Sequence, residues 1–159
     1  MNHFSLQPLT PAYDAPLATL IRRLLAAHGL DIPGTVYFDK DLDHLSDYYD
    51  KPGCAYFVLL DDTRLIGGIG LAPFAGFPAC CELQKLYLDE SVQGAGLSYK
   101  LIETIEETAR KLGYQYIYLE THHNLTTAMH VYEKCGYREI PRPQSVVHST
   151  MNHFFLKNL

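Results

Sequence analysis

Two glycines lie where this chain could hold an anion. The stretch Ser91–Lys100, SVQGAGLSYK, falls between a run of β-forming residues and an amphipathic helical run. The first amides of a helix lack partners inside the helix, and the helix dipole favours negative charge there. Gly94 and Gly96 have no Cβ, so their backbone can approach a phosphate closely. The spacing predicts either a site for a phosphate-like anion or a tight turn that only starts the helix.

The glycine spacing matches neither of two common nucleotide-binding patterns. The P-loop pattern G-x-x-x-x-G-K-[ST] and the dinucleotide pattern G-x-G-x-x-G are both absent. A second glycine-rich stretch, GGIGLAP at residues 67–73, also departs from the dinucleotide pattern, because Pro73 falls where a helix would have to open. A flavodoxin-like nucleotide binder would alternate strands and helices, whereas strands follow one another directly over residues 54–88.

Histidines and cysteines carry weaker signals. His122, His123 and His130 lie close together in the sequence, but no cysteine or carboxylate joins them at metal-ligand spacing. We therefore expect helix-capping or exposed histidines, and no metal. The cysteines form no C-x-x-C pair and are expected to be small structural residues of a reducing cytoplasm. They are Cys54, Cys80, Cys81 and Cys135.

Hydrophobic spacing predicts the elements that must position these residues. Helical spacing favours helices over residues 14–28, 41–49, 97–112 and 125–134. Runs of β-forming residues favour strands over 4–9, 54–60, 64–72, 80–88, 114–121, 137–140 and 150–156. The last of these could equally be an irregular tail, because its alternation is imperfect. The order predicts a mixed α/β fold in which an antiparallel meander precedes a β-α-β unit.

Bulk composition narrows the class of protein. The chain has 159 residues, of which 47% are hydrophobic and 19% charged, with a formal net charge of −5. These values favour one globular domain over residues 1–159, and the acidic balance argues against general nucleic-acid binding. No apolar run approaches the roughly 20 residues of a membrane helix. The first ten residues lack the pattern of a signal peptide, so we expect a cytoplasmic protein.

Two motifs in the chain resemble those of the GNAT superfamily, the Gcn5-related N-acetyltransferases. Gln93–Ser98 resembles the family's pyrophosphate-binding loop, [Q/R]-x-x-G-x-[G/A], with Ser98 in the last small position. Residues 124–137, NLTTAMHVYEKCGY, resemble its closing motif. The resemblance covers residues 80–137 and implies the GNAT fold: a mixed, mostly antiparallel twisted sheet of about six to seven strands, flanked by about four helices.

The resemblance also implies the cosubstrate and its contacts. Acetyl-CoA is expected to bind with its pyrophosphate on the glycine turn and its pantetheine arm beside a bulged fourth strand. The turn carries no Arg or Lys, so phosphate contact would rest mainly on backbone amides. The residues expected to contact the cosubstrate are Leu86, Tyr87, Leu88, Gln93, Gly94, Ala95, Gly96, Leu97, Ser98 and Asn124.

Catalytic roles follow from the same resemblance. Tyr132 occupies the position of the tyrosine that protonates the departing thiolate, and Glu82 is the leading candidate for the base that deprotonates the amine. Glu120 is the alternative base, and a third possibility that the resemblance implies is that no dedicated base is needed. By residue type alone, Tyr132 also fits a core aromatic and Glu82 a solvated or ion-paired carboxylate.

The function implied is transfer of an acetyl group to a primary amine of a small molecule or peptide, by direct attack in a ternary complex. The alternative is a non-catalytic module that binds or senses acyl-CoA on the same fold. Acceptor pockets in this family are built from segments that correspond here to residues 28–50 and 141–149. Dimers are common in the family, so a homodimer is an open expectation.

Overall fold

A computed structural model describes residues 3–147 and 149–159 of the chain. Within these residues, seven strands form one sheet in the order β1-β2-β3-β4-β5-β7-β6. Neighbouring strands are antiparallel except for the parallel pair β4 and β5. The strands are β1 (Phe4–Pro8), β2 (Ala55–Asp61), β3 (Arg64–Pro73), β4 (Cys80–Leu88), β5 (Tyr116–Thr121), β6 (Arg138–Ile140) and β7 (His153–Asn158). The predicted mixed, mostly antiparallel sheet is confirmed.

Four α-helices flank this sheet in the described residues, and their order is the predicted one. They are α1 (Asp14–Ala27), α2 (Leu45–Tyr49), α3 (Leu97–Lys111) and α4 (Thr126–Lys134). The helix predicted over residues 41–49 is divided, because a 3-10 turn at Leu42–His44 precedes α2. Asp14 of α1 explains where α2 begins: its carboxylate accepts hydrogen bonds from the amide and the hydroxyl of Ser46. A cap from a distant helix leaves no local sequence signal.

The two faces of the sheet bury different helices. One apolar cluster joins α3 to β3, β4 and β5 and includes Leu101, Ile105 and Leu119. The other joins α1 and α2 to β2 and includes Ile21 and Val58. Successive side chains of a strand point to opposite faces, so the apolar run of β2 serves both clusters.

The parallel pair β4 and β5 stays together for only a short distance. Pairing joins Cys80–Glu82 to Tyr116–Tyr118, and no later residue of β4 pairs with β5 in the described chain. The two strands therefore diverge after Glu82 and Tyr118. Their divergence leaves one edge of β4 without a strand partner close to the point where the chain enters the glycine turn.

Candidate active site

A bulge interrupts β4 inside the divergent segment, as the family resemblance implies. Gly70 of β3 pairs with Gln84, whereas Gly68 pairs with Tyr87, so β4 carries one extra residue there. Lys85 takes up the difference with a φ of 52°, in the left-handed region that non-glycine residues rarely adopt. The hydroxyl of Tyr56 in β2 donates a hydrogen bond to the Lys85 carbonyl oxygen over 2.7 Å. No local pattern in the sequence indicated this role for Tyr56.

The glycine turn presents free amides at the start of α3. Gly94 and Gly96 have φ values of 86° and 77°, and a Cβ at either position would meet no atom within 4 Å. The amides of Gly94, Ala95 and Gly96 donate no hydrogen bond to any described backbone group, and all three residues are exposed. Gly96 is the N-cap of α3 and no side chain caps it. Free amides, exposure and a helix N-terminus are the features that suit an anionic ligand.

The other residues of the turn anchor it. Gln93 donates a hydrogen bond from Nε2 to the carbonyl oxygen of Leu88 over 3.0 Å, which ties the turn to the end of β4. Leu97 is buried in the cluster beneath α3, and Ser98 is half-buried. The Gln93 side chain is therefore engaged within the protein, while the adjoining backbone faces solvent.

Tyr132 lies on α4, deep in the cluster beneath α3. Its side chain is 6% exposed and packs at 6.0 Å from the Tyr137 ring and 6.2 Å from the Phe155 ring, measured between ring centroids. The hydroxyl makes no hydrogen bond with a described residue. No fully buried side-chain N or O atom lacks a partner in the described chain, so this hydroxyl must reach solvent. Burial raises the pKa of Tyr132, so the phenol stays protonated at neutral pH.

Tyr87 of β4 lies close to Tyr132. Burial, and to a smaller extent the proximity of Tyr132, raises the pKa of Tyr87. Leu86 packs against the same cluster as Tyr132, whereas Tyr87 packs against the cluster beneath α1. The structure thus brings Tyr132 near the β4 residues that are expected to contact the acyl group.

Glu82 lies at the last paired position of β4, opposite Tyr118, where the two strands begin to diverge. Burial is the largest influence on its carboxyl group and raises the pKa to about 7, with a further contribution from nearby Glu120. Gln84, two residues along the strand, donates a hydrogen bond from Nε2 to Glu82 Oε1 over 2.9 Å. Gln84 in turn accepts a hydrogen bond from the Tyr49 hydroxyl over 2.8 Å. A carboxyl group with a pKa near neutrality suits acid–base chemistry.

Glu120 of β5 is more fully engaged than Glu82. Its Oε2 accepts a hydrogen bond from the Tyr118 hydroxyl and its Oε1 accepts one from the Ser149 hydroxyl, each over 2.8 Å. Glu82 Oε2, by comparison, accepts no hydrogen bond from a described residue. Glu82 therefore has the freer oxygen of the two candidates.

Asn124 and the neighbouring histidines make local contacts. Asn124 donates a hydrogen bond from Nδ2 to the carbonyl oxygen of His28, at the end of α1, over 2.9 Å. The ring of His122 accepts from the Asn124 amide over 3.1 Å, and the His123 ring contacts Asn152. Within residues 3–147 and 149–159, no three His, Cys, Asp or Glu side chains converge in a way that could hold a metal.

The first segment expected to form the acceptor pocket lies against the bulge. The Lys85 ammonium lies 5.3 Å from the centre of the Tyr48 ring and 5.8 Å from that of Tyr49. Burial lowers the pKa of Lys85, opposed by the nearby carboxylates of Asp39 and Glu82. In the second segment, residues 141–149, His148 lies outside the described residues.

The cysteine side chains are protonated thiols rather than reactive thiolates. All four are free, and burial raises the pKa of Cys80 and of Cys81 to about 12. Burial also raises the pKa of Cys135, which lies just after α4. A nucleophilic cysteine needs a lowered pKa, so none of these three is suited to carry an acyl group.

Comparisons of the whole chain with known proteins point to one family. Residues 22–137 match the acetyltransferase (GNAT) family. An uncharacterized N-acetyltransferase of Escherichia coli strain K12, YjgM, is 37% identical over 134 residues, which cover 83% of this chain and 80% of that protein. A GNAT-family acetyltransferase from Staphylococcus aureus Mu50 has the same fold, with a TM-score of 0.88 at 21% identity over 99% of each chain.

A further protein with the same fold was solved with a ligand. The PaiA N-acetyltransferase of Thermoplasma acidophilum, crystallised in complex with coenzyme A, gives a TM-score of 0.76 at 16% identity over 99% of each chain. The described residues of this chain include no helix with the length and hydropathy to span a membrane.

Proposed function

We propose that this chain, which belongs to the acetyltransferase (GNAT) family and is an acyltransferase, moves an acetyl group from acetyl-CoA to a primary amine of a small molecule or peptide. One arrangement carries the proposal. The unpartnered edge of β4 leads directly into a glycine turn whose amides are free. An extended arm that ends in a diphosphate matches both parts of this arrangement.

Acetyl-CoA fits the residues present. The amides of Gly94, Ala95 and Gly96 would donate to the diphosphate, and the dipole of α3 favours its negative charge. The pantetheine arm would lie along the free edge of β4, where its amides can pair with Leu86–Leu88 as an added strand does. The coenzyme A complex of the Thermoplasma acidophilum relative supports this assignment.

Glu82 is the proposed base. An amine must lose its proton before it can attack, because an ammonium has no lone pair. With a pKa raised to about 7, the Glu82 carboxylate is present at neutral pH and is a stronger base than an ordinary glutamate. The free Oε2 would take the proton while Gln84 holds Oε1.

The reaction is a direct transfer. The amine nitrogen attacks the thioester carbonyl carbon, a C–N bond forms, and the C–S bond breaks. Glu82 passes the ammonium proton on to water and then takes the second proton, which the nitrogen loses after attack. The departing sulfur takes a proton from Tyr132, whose phenolate is then reprotonated from water. Proton transfer to the sulfur leaves the negative charge on the buried Tyr132 oxygen, and reprotonation of that phenolate from water then removes the buried charge.

Thiol release across a panel of acceptors tests this function. Amines, polyamines, amino acids and peptides are each mixed with acetyl-CoA, and free coenzyme A is measured over time. At least one amine should release thiol faster than water alone, with the acetylated amine as the matching product. Tight binding of acetyl-CoA with no transfer to any acceptor would instead favour a module that only binds or senses acyl-CoA.

A further inference from the structure

We propose that Tyr56 is a positioning residue that holds the β4 bulge and thereby shapes the acyl-CoA site. The inference rests on the proposed function, because it concerns the binding of the same cosubstrate. Tyr56 belongs to β2, two strands away from the site, and touches none of the proposed reacting groups. Its effect is transmitted through the backbone of Lys85.

The hydroxyl of Tyr56 is bonded to the residue that makes the bulge. It donates to the Lys85 carbonyl oxygen over 2.7 Å, and the tyrosine is 4% exposed. Lys85 has a φ of 52°, a conformation that costs a non-glycine residue free energy and persists only where surrounding contacts hold it. A buried hydrogen bond to the carbonyl group of that same residue is such a contact.

Two glycines of β3 leave space for the ring of Tyr56. A Cβ at Gly68 would lie 2.6 Å from Cε1 of the tyrosine ring, and a Cβ at Gly70 would also collide with the ring. The ring of Tyr49 packs on Tyr56 at 5.0 Å between centroids. The glycine-rich stretch at 67–70 therefore makes room for an aromatic ring, and the ring has little freedom to move its hydroxyl away from Lys85.

The bulge decides which side chains of β4 pack beneath α3. Cys81 and Leu83 lie in the cluster beneath α3, and after the extra residue Leu86 and Leu88 pack against that same cluster. Without the extra residue, the alternation of the strand would send Tyr87 to that side in their place. Tyr56 thus helps to fix the register of the segment expected to contact the acyl group and the pantetheine arm.

Calorimetric titration with acetyl-CoA tests the inference. Tyr56→Phe keeps the ring between the glycines and removes only the hydroxyl, so the dissociation constant should rise roughly three- to tenfold. Tyr114→Phe is the matched control, because the Tyr114 hydroxyl also donates to a backbone carbonyl, that of Gly53, over 2.8 Å. Tyr114 lies beside the paired end of β4 and β5 rather than at the bulge. The control should bind acetyl-CoA as the wild type does.

A second substitution separates a positioning role from a general loss of stability. Lys85→Gly removes the cost of a positive φ, so adding it to Tyr56→Phe should restore much of the lost acetyl-CoA affinity. Equal affinity in wild type and Tyr56→Phe would overturn the inference, as would a loss that Lys85→Gly leaves unchanged. Failure of the wild type itself to bind acetyl-CoA would instead contradict the proposed function.

Discussion

Gln84 donates a hydrogen bond to Glu82 over 2.9 Å, and both side chains lie on the same face of β4, just before the bulge. The contact engages one carboxylate oxygen and leaves the other free. It also opposes the effect of burial on the Glu82 pKa, which still rises to about 7. The carboxyl group best placed to accept a proton from an amine is therefore oriented by its own strand.

Glu82→Gln should remove an inflection from the pH–rate profile. The proposed base works only when deprotonated, so kcat/KM of the wild type should rise with pH through about 7, the pKa of Glu82. The variant should lose on the order of 100-fold in rate above that pH, and its profile should lack the inflection. Initial rates measured from pH 5 to 9 with one acceptor, at about unit intervals, check this.

Glu120→Gln is the control for that profile. Glu120 contributes to the raised pKa of Glu82, so its removal should move the inflection to lower pH without abolishing it. If the inflection disappears with Glu120 and survives the loss of Glu82, the roles of the two carboxylates are reversed.

Tyr132→Phe should separate turnover from stability. The hydroxyl has no hydrogen-bond partner among the described residues, so its loss should barely change the free energy of unfolding, while kcat should fall on the order of 100-fold. Acetyl-CoA affinity should stay close to that of the wild type. Initial-rate assays measure the change in kcat, and chemical denaturation measures the change in the free energy of unfolding.

Tyr137→Phe provides the contrast. The Tyr137 hydroxyl donates a buried hydrogen bond to Glu106 over 2.9 Å, so its removal should cost about 1 kcal/mol of stability and leave turnover intact. Wild-type turnover in Tyr132→Phe would rule out its role as the acid.

Gly96→Val should weaken acetyl-CoA binding. A β-branched residue is strained at a φ of 77°, and its side chain would stand where the diphosphate is expected to approach. Gly113→Val is the matched control, since Gly113 has a φ of 90° and equally open surroundings at the far end of α3. Both variants should lose similar stability, but only Gly96→Val should raise the dissociation constant, by at least about tenfold. Similar acetyl-CoA affinity in the two variants would show that the turn is not part of the binding site.

Asp89 should make stability depend on pH in the acid range. Burial opposes ionisation of this carboxyl group, but hydrogen bonds from Ser91 and Arg23 outweigh it and lower the pKa to about 2. Because the folded pKa lies below the unfolded value, the stabilisation is fully present above about pH 4 and is lost as the pH falls towards about 2.

Asp89→Asn should therefore unfold more easily than the wild type at neutral pH, by no more than about 2 kcal/mol. The difference should shrink steadily on acidification. Denaturant titrations at several pH values measure it, and a difference that does not change with pH would show that Asp89 contributes by packing alone.

Local pattern predicted most of the fold and the position of the turn. Gly94 and Gly96 mark a strand-to-helix junction whatever surrounds them, and the order of strands and helices follows from hydrophobic spacing. The Lys85 bulge could be inferred only from the family resemblance, because it depends on how three strands align. Gly68 and Gly70 match no nucleotide-binding pattern. Their role is to leave room for the ring of Tyr56, which only the packing of β2 beside β3 shows.

Side-chain contacts between distant parts of the chain could not be predicted from the sequence either, because they also depend on how separate elements pack. The side-chain amide of Gln93 donates to the Leu88 carbonyl oxygen, a contact that no local pattern indicates because it depends on the turn folding back on the end of β4. Gln84 carried no motif, and its link to Glu82 depends on two side chains sharing one face of a strand. Such relationships arise from packing rather than from local preference.

Calorimetric comparison of acetyl-CoA with S-acetylpantetheine, which has the same thioester arm but lacks the diphosphate and the nucleoside beyond it, tests the central claim most directly when Gly96→Val is measured with both. If the free amides of residues 94–96 bind the diphosphate, acetyl-CoA should bind at least about 100-fold more tightly to the wild type, and Gly96→Val should lose most of that advantage. Equal affinity of the wild type for the two compounds would contradict the account.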